Sequence, residues 1–296
     1  MKTIDLHMHS RYSEDGDHSV DELFSIARAA GLHAISITDH DSLESIADCA
    51  DASERYGVEY APGVEVTTVF PVDGSQQHIL GYYIDETNER LNSALEKIHA
   101  CRVTVAKNRI KALHAIGFAL DEDWVWKIAE GRAPTATAIM RAVLENWNNA
   151  SDPRLDDYIT GDKADNRLFH FYREYLLEGK PAYVPFESIS TAEGIEAIKS
   201  AGGVPVLAHP KFVREKEWLD IIREYGILGI EAVSSYHEPE DIEFYLSYAR
   251  KTGLLVTAGS DFHGPTTKPR VAMGGIEGND YRLLEELRKA AGIRAG

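Results

Sequence analysis

The order of hydrophobic and polar positions divides the chain into three stretches. Over residues 1–84, short apolar runs of strand type at 2–6, 34–38, 59–65 and 77–83 alternate with helical segments. Ser19-Val20-Asp21-Glu22 is a capping box that opens a helix to about residue 30, where Gly31 ends it. Asp41 and Glu44 repeat that spacing ahead of a helix to about residue 56. From 85 to 180 the period is helical only, as in Leu91, Leu95, Ile98, Val105, Ile110 and Leu113, with Trp124, Trp126 and Trp147 expected to pack. Residues 146–165, rich in Asn and Asp and carrying Pro153 and Gly161, read as an exposed connection. From 181 to 296 alternation returns, with strands at 204–208, 229–233 and 254–258.

Seven strand signals separated by helices predict an α/β chain with a parallel core, closed into a barrel rather than left as an open sheet. The barrel is expected over 1–84 and 181–296. The block at 85–180 is expected to be a helical insertion forming part of the substrate pocket.

Charge narrows the partners. Lys and Arg number 31 against 48 Asp and Glu, a net −17. Long nucleic acid is excluded as the main partner, because that binding is driven by many Lys and Arg contacts to phosphates. No apolar run is long enough for a membrane span. The start, Met1-Lys2-Thr3-Ile4-Asp5, lacks a signal-peptide core, so a cytoplasmic chain is expected. Cys49 and Cys101 are too few for a disulfide framework.

Asp, Glu and His residues cluster at the predicted strand ends. His7-Met8-His9 ends the first strand, and two residues apart on an extended chain both imidazoles point to one side. Asp15 follows in a 13–16 turn. His40 lies in Thr38-Asp39-His40-Asp41, Glu65 ends the third strand, His78 sits in the fourth, and His209-Pro210 ends the fifth. The last strand runs into Gly259-Ser260-Asp261-Phe262-His263, again with a two-residue spacing. Carboxyl ends of parallel strands converge on one face of an α/β barrel. Six histidines and three carboxylates would meet there, and this is the ligand set of Zn, Mn and Fe sites. Nine groups exceed the needs of one ion, so two or three divalent ions are implied. His18, His33, His99, His114 and His170 have no such partners and read as solvent or packing residues. His237, just past a strand end, is a candidate substrate contact.

At these residues the chain resembles the PHP (polymerase and histidinol phosphatase) family. The matching pieces are Asp5-Leu6-His7-Met8-His9-Ser10, the 13–16 turn, Ile37-Thr38-Asp39-His40-Asp41, Gly63-Val64-Glu65, His78, Ala208-His209-Pro210 and 259–263, spread over about two thirds of the chain. The resemblance implies a distorted (β/α)7 TIM-like barrel holding three divalent ions (Mn, Fe or Zn). It implies His7, His9, Glu65 and Asp261 around the first ion. Glu65, His78 and His209 would hold the second, and Asp15, His40 and His263 the third. The helical block and the stretch Gly179-Lys180-Pro181-Ala182-Tyr183-Val184-Pro185 are similar to the stand-alone bacterial phosphoesterases of the family. Where many nucleotidase members carry Thr-Arg-x-His, this chain has Thr135-Ala136-Thr137-Ala138, which leaves room for a different phosphate ester.

The implied activity is hydrolysis of a small nucleotide or sugar phosphate, as a phosphomonoester, 3′,5′-bisphosphate or cyclic phosphate, by a metal-bridging hydroxide. His237 or a metal-bound water is the candidate proton donor. Arg132 and Arg141, with Arg11 and Lys211 behind them, are candidate phosphate clamps. The first alternative is an exonuclease on short 5′-phosphorylated oligonucleotides. Another is an amidohydrolase, disfavoured because a third ion suits phosphate better than an amide.

Overall fold

The computed structural model describes residues 2–13, 15–129 and 132–293; Glu14 of the expected 13–16 turn lies outside them. The chain folds as two compact units, Met1–Ile98 with Ser188–Gly296, and His99–Glu187.

The first unit is built on two sheets. Strand β1 (Ile4–Met8) is buried along its whole length. Because side chains alternate along a strand, Ile4, Leu6 and Met8 enter the apolar core while Asp5 and His7 take the other side. Helix α1 (Val20–Ala29) starts at the capping box the spacing predicts, with Ser19 and Glu22 each capping the other's backbone N–H. Its Val20, Leu23, Phe24 and Ala27 pack with Ile35 and Ile37 of β2 (Ala34–Ile37) and with Cys49 and Ala52 of α2 (Ser45–Tyr56). Strands β1, β2 and β3 (Glu59–Tyr60) form a parallel three-stranded sheet.

Three expectations need correction here. Residues 59–65 are not one strand. Pro62 lacks the N–H that would continue β3, and the chain restarts as β4 (Gly63–Val69) in the other sheet. That places Glu65 inside a strand rather than at its end. The second correction concerns direction. β4 and β5 (Gln76–Tyr82) are antiparallel, as are β5 and β6 (Val204–Leu207). Only residues 70–75 connect β4 to β5, far too few for a crossover, so they close a hairpin instead. Strands β6, β7 (Gly229–Ser234) and β8 (Leu255–Gly259) are parallel and complete a five-stranded sheet. Among the described residues, eight strands in one parallel and one mixed sheet thus replace a single parallel seven-stranded one. Third, Asp41 does not cap α2. It sits at φ 53°, and its carboxylate accepts from Thr67 N–H at 2.7 Å.

The two sheets meet through isolated bridges, Met8 with Phe262 and His40 with Glu65. Around them, His9 N–H donates to Phe262 O (2.9 Å), Asp261 N–H to His7 O (2.8 Å) and Asp41 N–H to Glu65 O (2.9 Å). These few bonds bring the His-rich ends of both sheets together. Helices α8 (Thr191–Ser200), α9 (Trp218–Glu224), α10 (Pro239–Thr252) and α11 (Arg282–Ala290) complete the unit, and α8 opens on a second capping box, Ser190 with Glu193.

Helix α3 (Glu89–Ala115) runs from the first unit into the second. Among the described residues the second unit has no strand. It contains α4 (Glu122–Ile128), α5 (Ala136–Leu144), α6 (Asp156–Ile159) and α7 (Arg167–Phe171) around a core of Ile110, Leu113, Phe118, Ile139, Val143 and Phe171. Leu155 and Tyr158 belong to that core, so 146–165 is no simple exposed connection. Trp147 is 81% exposed and Trp124 42%, against their expected packing role. Among the described residues, no helix is long and apolar enough to cross a membrane.

Candidate metal centre

β1 sets the deepest part of the site. His7 and His9 are fully buried. His7 Nε2 lies 3.2 Å from Glu65 Oε2 and 3.4 Å from Asp261 Oδ1, and His9 Nε2 lies 3.2 and 3.0 Å from the same two atoms. Glu65 faces inward because β4 alternates, with Val64 and Val66 in the apolar core on the opposite side. His78 on β5 is its diagonal neighbour across the hairpin, with Nδ1 2.9 Å from Glu65 Oε1. His209 Nε2 reaches the same oxygen at 3.0 Å. Nearer the surface, His263 Nε2 is 3.4 Å and His40 Nε2 3.8 Å from Asp15 Oδ2.

All nine sequence candidates therefore converge. Three groups have ligand atoms within 4.8 Å of one another: His7, His9, Glu65 and Asp261; His9, Asp15, His40 and His263; and His40, Glu65 and His78. The first equals the expected first set. The others share His9 and His40 more widely than expected.

Residues behind these donors fix their orientation, and the sequence reading passed over them. Glu231, fully buried in the middle of β7, accepts from His7 Nδ1–H through Oε1 (2.9 Å) and from His209 N–H through Oε2 (2.8 Å). His9 Nδ1 meets Ser13 Oγ at 2.9 Å, and Ser13 Oγ donates to Asp39 Oδ1 at 2.8 Å. Each Nδ1 is thereby occupied, which turns Nε2 to the centre, the arrangement by which outer partners orient metal-binding histidines. Asp5 accepts from Ser260 N–H (2.9 Å), Ser260 Oγ–H (2.6 Å) and Gly274 N–H (2.7 Å), which pins the start of the 260–263 segment. Gly259 allows the close approach: a Cβ there would lie 2.2 Å from His7 Cβ and 2.6 Å from Glu231 Oε1. A signal existed in the sequence, since Asp5 and Glu231 are each an acid within a buried strand.

Electrostatics follow from this crowding. Burial opposes charge on Glu65, yet His40, His7 and His78 hold its carboxyl well below the usual range. Burial likewise opposes charge on Asp261, and Lys268, His7 and His263 override it. Burial would lower His7, but Glu231, Glu65 and Asp261 push it well above its ordinary value. His9 is lowered by burial and by His263 and His40.

A cation fits these residues. His7 Nε2, His9 Nε2, Asp15 Oδ1, Glu65 Oε2 and Asp261 Oδ1 are all buried and make no hydrogen bond. Buried polar atoms ordinarily find partners, so their common aim is itself informative. Imidazole nitrogen with carboxylate oxygen suits a divalent transition ion.

The sequence candidates of the first unit other than these nine do not line the cleft. His237 is buried against Tyr245, and its Nδ1 is 3.0 Å from Ala232 O. It is not among the residues lining the cleft of about 300 Å³ beside the centre. Lys211 pairs with Asp241 (2.8 Å), and Arg11 faces Glu22 (3.4 Å) in solvent. Arg132 and Arg141 belong to the second unit, the latter on α5 and 3.4 Å from Glu145, which follows that helix. The cleft instead contains Lys268 and Tyr236, which the sequence reading missed. Lys268 Nζ donates to Asp261 Oδ2 at 2.5 Å, and Tyr236 Oη–H donates to the same oxygen at 2.8 Å.

Histidines and acids drawn from two sheets, with donor atoms aimed at common points, define a divalent-metal site of a hydrolytic type. Comparison with known proteins gives the family. The PHP domain matches residues 5–133. A 3′,5′-nucleoside bisphosphate phosphatase of Chromobacterium violaceum is 30% identical over 273 residues, covering 90% of this chain and 88% of the relative. A 5′-3′ exoribonuclease of Haemophilus influenzae is 27% identical, covering 89% and 91%. The crystal structure of a protein described as a metal-dependent phosphoesterase from Bifidobacterium adolescentis superposes with a TM-score of 0.78 at 29% identity, covering 98% and 96%. The chain belongs to the PHP family.

Proposed function

We propose that this chain is a metal-dependent phosphoesterase hydrolysing phosphate esters of a small nucleotide or sugar phosphate. The observation that carries the reading is the set of buried, unsatisfied donor atoms on His7, His9, Glu65 and Asp261 beside an open cleft. The two bridged sheets are read as a distorted barrel of the (β/α)7 type. The proposed ligand sets are His7, His9, Glu65 and Asp261; Glu65, His78 and His209; and Asp15, His40 and His263, for three ions, with Mn, Fe and Zn the fitting metals.

Bound there, divalent ions supply Lewis acidity toward phosphoryl oxygens and a water acidified towards a pKa of about 7. The protein's own groups do the rest. Glu231 and the Ser13–Asp39 pair keep the donor imidazoles in one tautomer. Among described residues, Lys268 is the one Lys or Arg side chain lining the cleft, and it offers its charge to phosphate oxygens in a chain of net −17. Tyr236, raised far above its ordinary value by burial and by Asp261, stays protonated and holds Asp261 Oδ2 through its one O–H. His237, Arg132 and Arg141 keep the roles the sequence suggests only as proposals.

A second reading is supported by the exoribonuclease relative: removal of nucleotides from short 5′-phosphorylated oligomers at the same centre. One assay separates the two. With Mn present, free phosphate is measured from a 5′-monophosphate, a 3′,5′-bisphosphate and a cyclic phosphate, and nucleotide release from a trinucleotide. Phosphate release that His9→Ala or Asp261→Ala reduces to background is expected. Near-wild-type turnover in either metal-replete variant overturns the assignment.

A further inference from the structure

One aromatic side chain at the cleft has no part in the proposed hydrolysis. Phe212 ends the turn Pro210–Phe212, directly after His209, and lines the cleft while remaining 51% exposed. Its ring meets His209 at 5.1 Å and Tyr236 at 4.8 Å between centroids, both edge to face. It belongs to no buried core cluster.

A single exposed Phe is ordinary on a protein surface. What sets Phe212 apart is how firmly it is held. His209 sits at φ 25°, in a region that non-glycine residues rarely adopt and that is retained where surrounding structure enforces it. Here the enforcement is visible. His209 N–H donates to buried Glu231 at 2.8 Å. Lys211 Nζ donates to Tyr236 O at 2.8 Å and pairs with Asp241 at 2.8 Å. Phe212 N–H closes the turn on His209 O at 3.2 Å, and the next residue, Val213, is buried. The backbone that carries the ring is therefore held in place, and the ring rests against His209 and Tyr236, which lowers the ordering cost of binding to it.

We propose that Phe212 is a stacking platform for the heterocyclic base of the substrate, so that the site selects a nucleobase-bearing phosphate ester over a bare sugar phosphate. The inference rests on the phosphoesterase reading above. The Phe212 ring centroid lies 5.1 Å from that of His209, a proposed ligand, so a base stacked on it would sit beside the centre that takes the phosphate. Gln76, exposed on the same cleft, offers both a donor and an acceptor to a base edge. Base–aromatic stacking is sequence-tolerant, so the preference is for a base rather than for one particular base.

The test is the ratio of kcat/KM for adenosine 3′,5′-bisphosphate to that for ribose 5-phosphate, measured with Mn. This ratio is insensitive to the fraction of folded enzyme. Phe212→Ala is expected to lower it about 5- to 150-fold, the range that loss of one stacked base spans. Phe212→Trp is expected to keep it, with the loss in Phe212→Ala appearing in KM rather than kcat. A ratio unchanged in Phe212→Ala, or a wild-type ratio near one, overturns the platform and leaves the phosphoesterase reading standing. No phosphate from either compound overturns the platform, and no hydrolysis of the cyclic phosphate or the trinucleotide as well overturns the phosphoesterase reading.

Discussion

At the scale of single residues, the centre depends on groups that never reach the cleft. Glu231 uses both carboxylate oxygens as acceptors, one for His7 and one for His209. Its amide analogue has a single acceptor oxygen, so Glu231→Gln must set an NH2 donor against one of the two N–H groups. The side chain is fully buried, and no water can repair the mismatch. We expect Glu231→Gln to weaken divalent-metal binding by about 10- to 100-fold, the usual cost of losing an outer partner of a metal ligand. Competition against a chromogenic chelator measures it, and wild-type affinity in the variant would show that Glu231 does not position the ligands.

Secondary-structure elements carry a different sensitivity. His237 joins β7 to α10, through Ala232 O on one side and the Tyr245 ring on the other. Burial lowers it from 6.5, outweighing the raising effects of the Ala232 carbonyl, Glu231 and Asp241. Well above pH 6.5 the ring is neutral whether the chain is folded or not. Below it the unfolded chain takes up the proton first, so stability falls as pH drops toward the lower folded value. The thermal midpoint of a His237→Phe variant is expected to fall less than that of wild type between about pH 7.5 and pH 5.5. Parallel losses in both proteins would contradict this. The elements themselves were legible where a local rule governs them, as at the Ser19 and Ser190 capping boxes. They were not legible where tertiary pairing decides. Nothing local reveals that Glu65 and the strand before Pro62 join different sheets, or that Asp41 serves Thr67 instead of a helix.

Across the whole molecule, metal and fold are coupled. Donors come from both sheets: His7, His9 and His40 accompany the three-stranded one, and Glu65, His78, His209 and Asp261 the five-stranded one. A cation bound to the assembled site and not to the unfolded chain raises stability, by about 2.7 kcal/mol at one hundred times Kd. Mn is expected to raise the thermal midpoint in a concentration-dependent way, and a chelator to reverse it. A midpoint indifferent to Mn would argue against occupation of the site. This level of organisation was partly legible. The two-residue spacings at His7 and His9 and at Asp261 and His263 announced the donors; extended geometry puts His7 and His9 on one side, whereas Asp261 lies past the end of β8 at φ 55° and reaches the centre through its own turn. Lys268, Tyr236 and Phe212 were not announced, because their roles arise only from proximity in space.

Depth within the centre has one more result. The His7, His9 and Glu65 side chains are wholly shielded, while Asp15, His40 and His78 keep 22%, 18% and 22% of theirs in contact with solvent. On the proposed assignment, traffic to and from the innermost donors has to pass the outermost ones. Filling and emptying are then sequential: the outer position equilibrates quickly with the surroundings, and the inner one exchanges last.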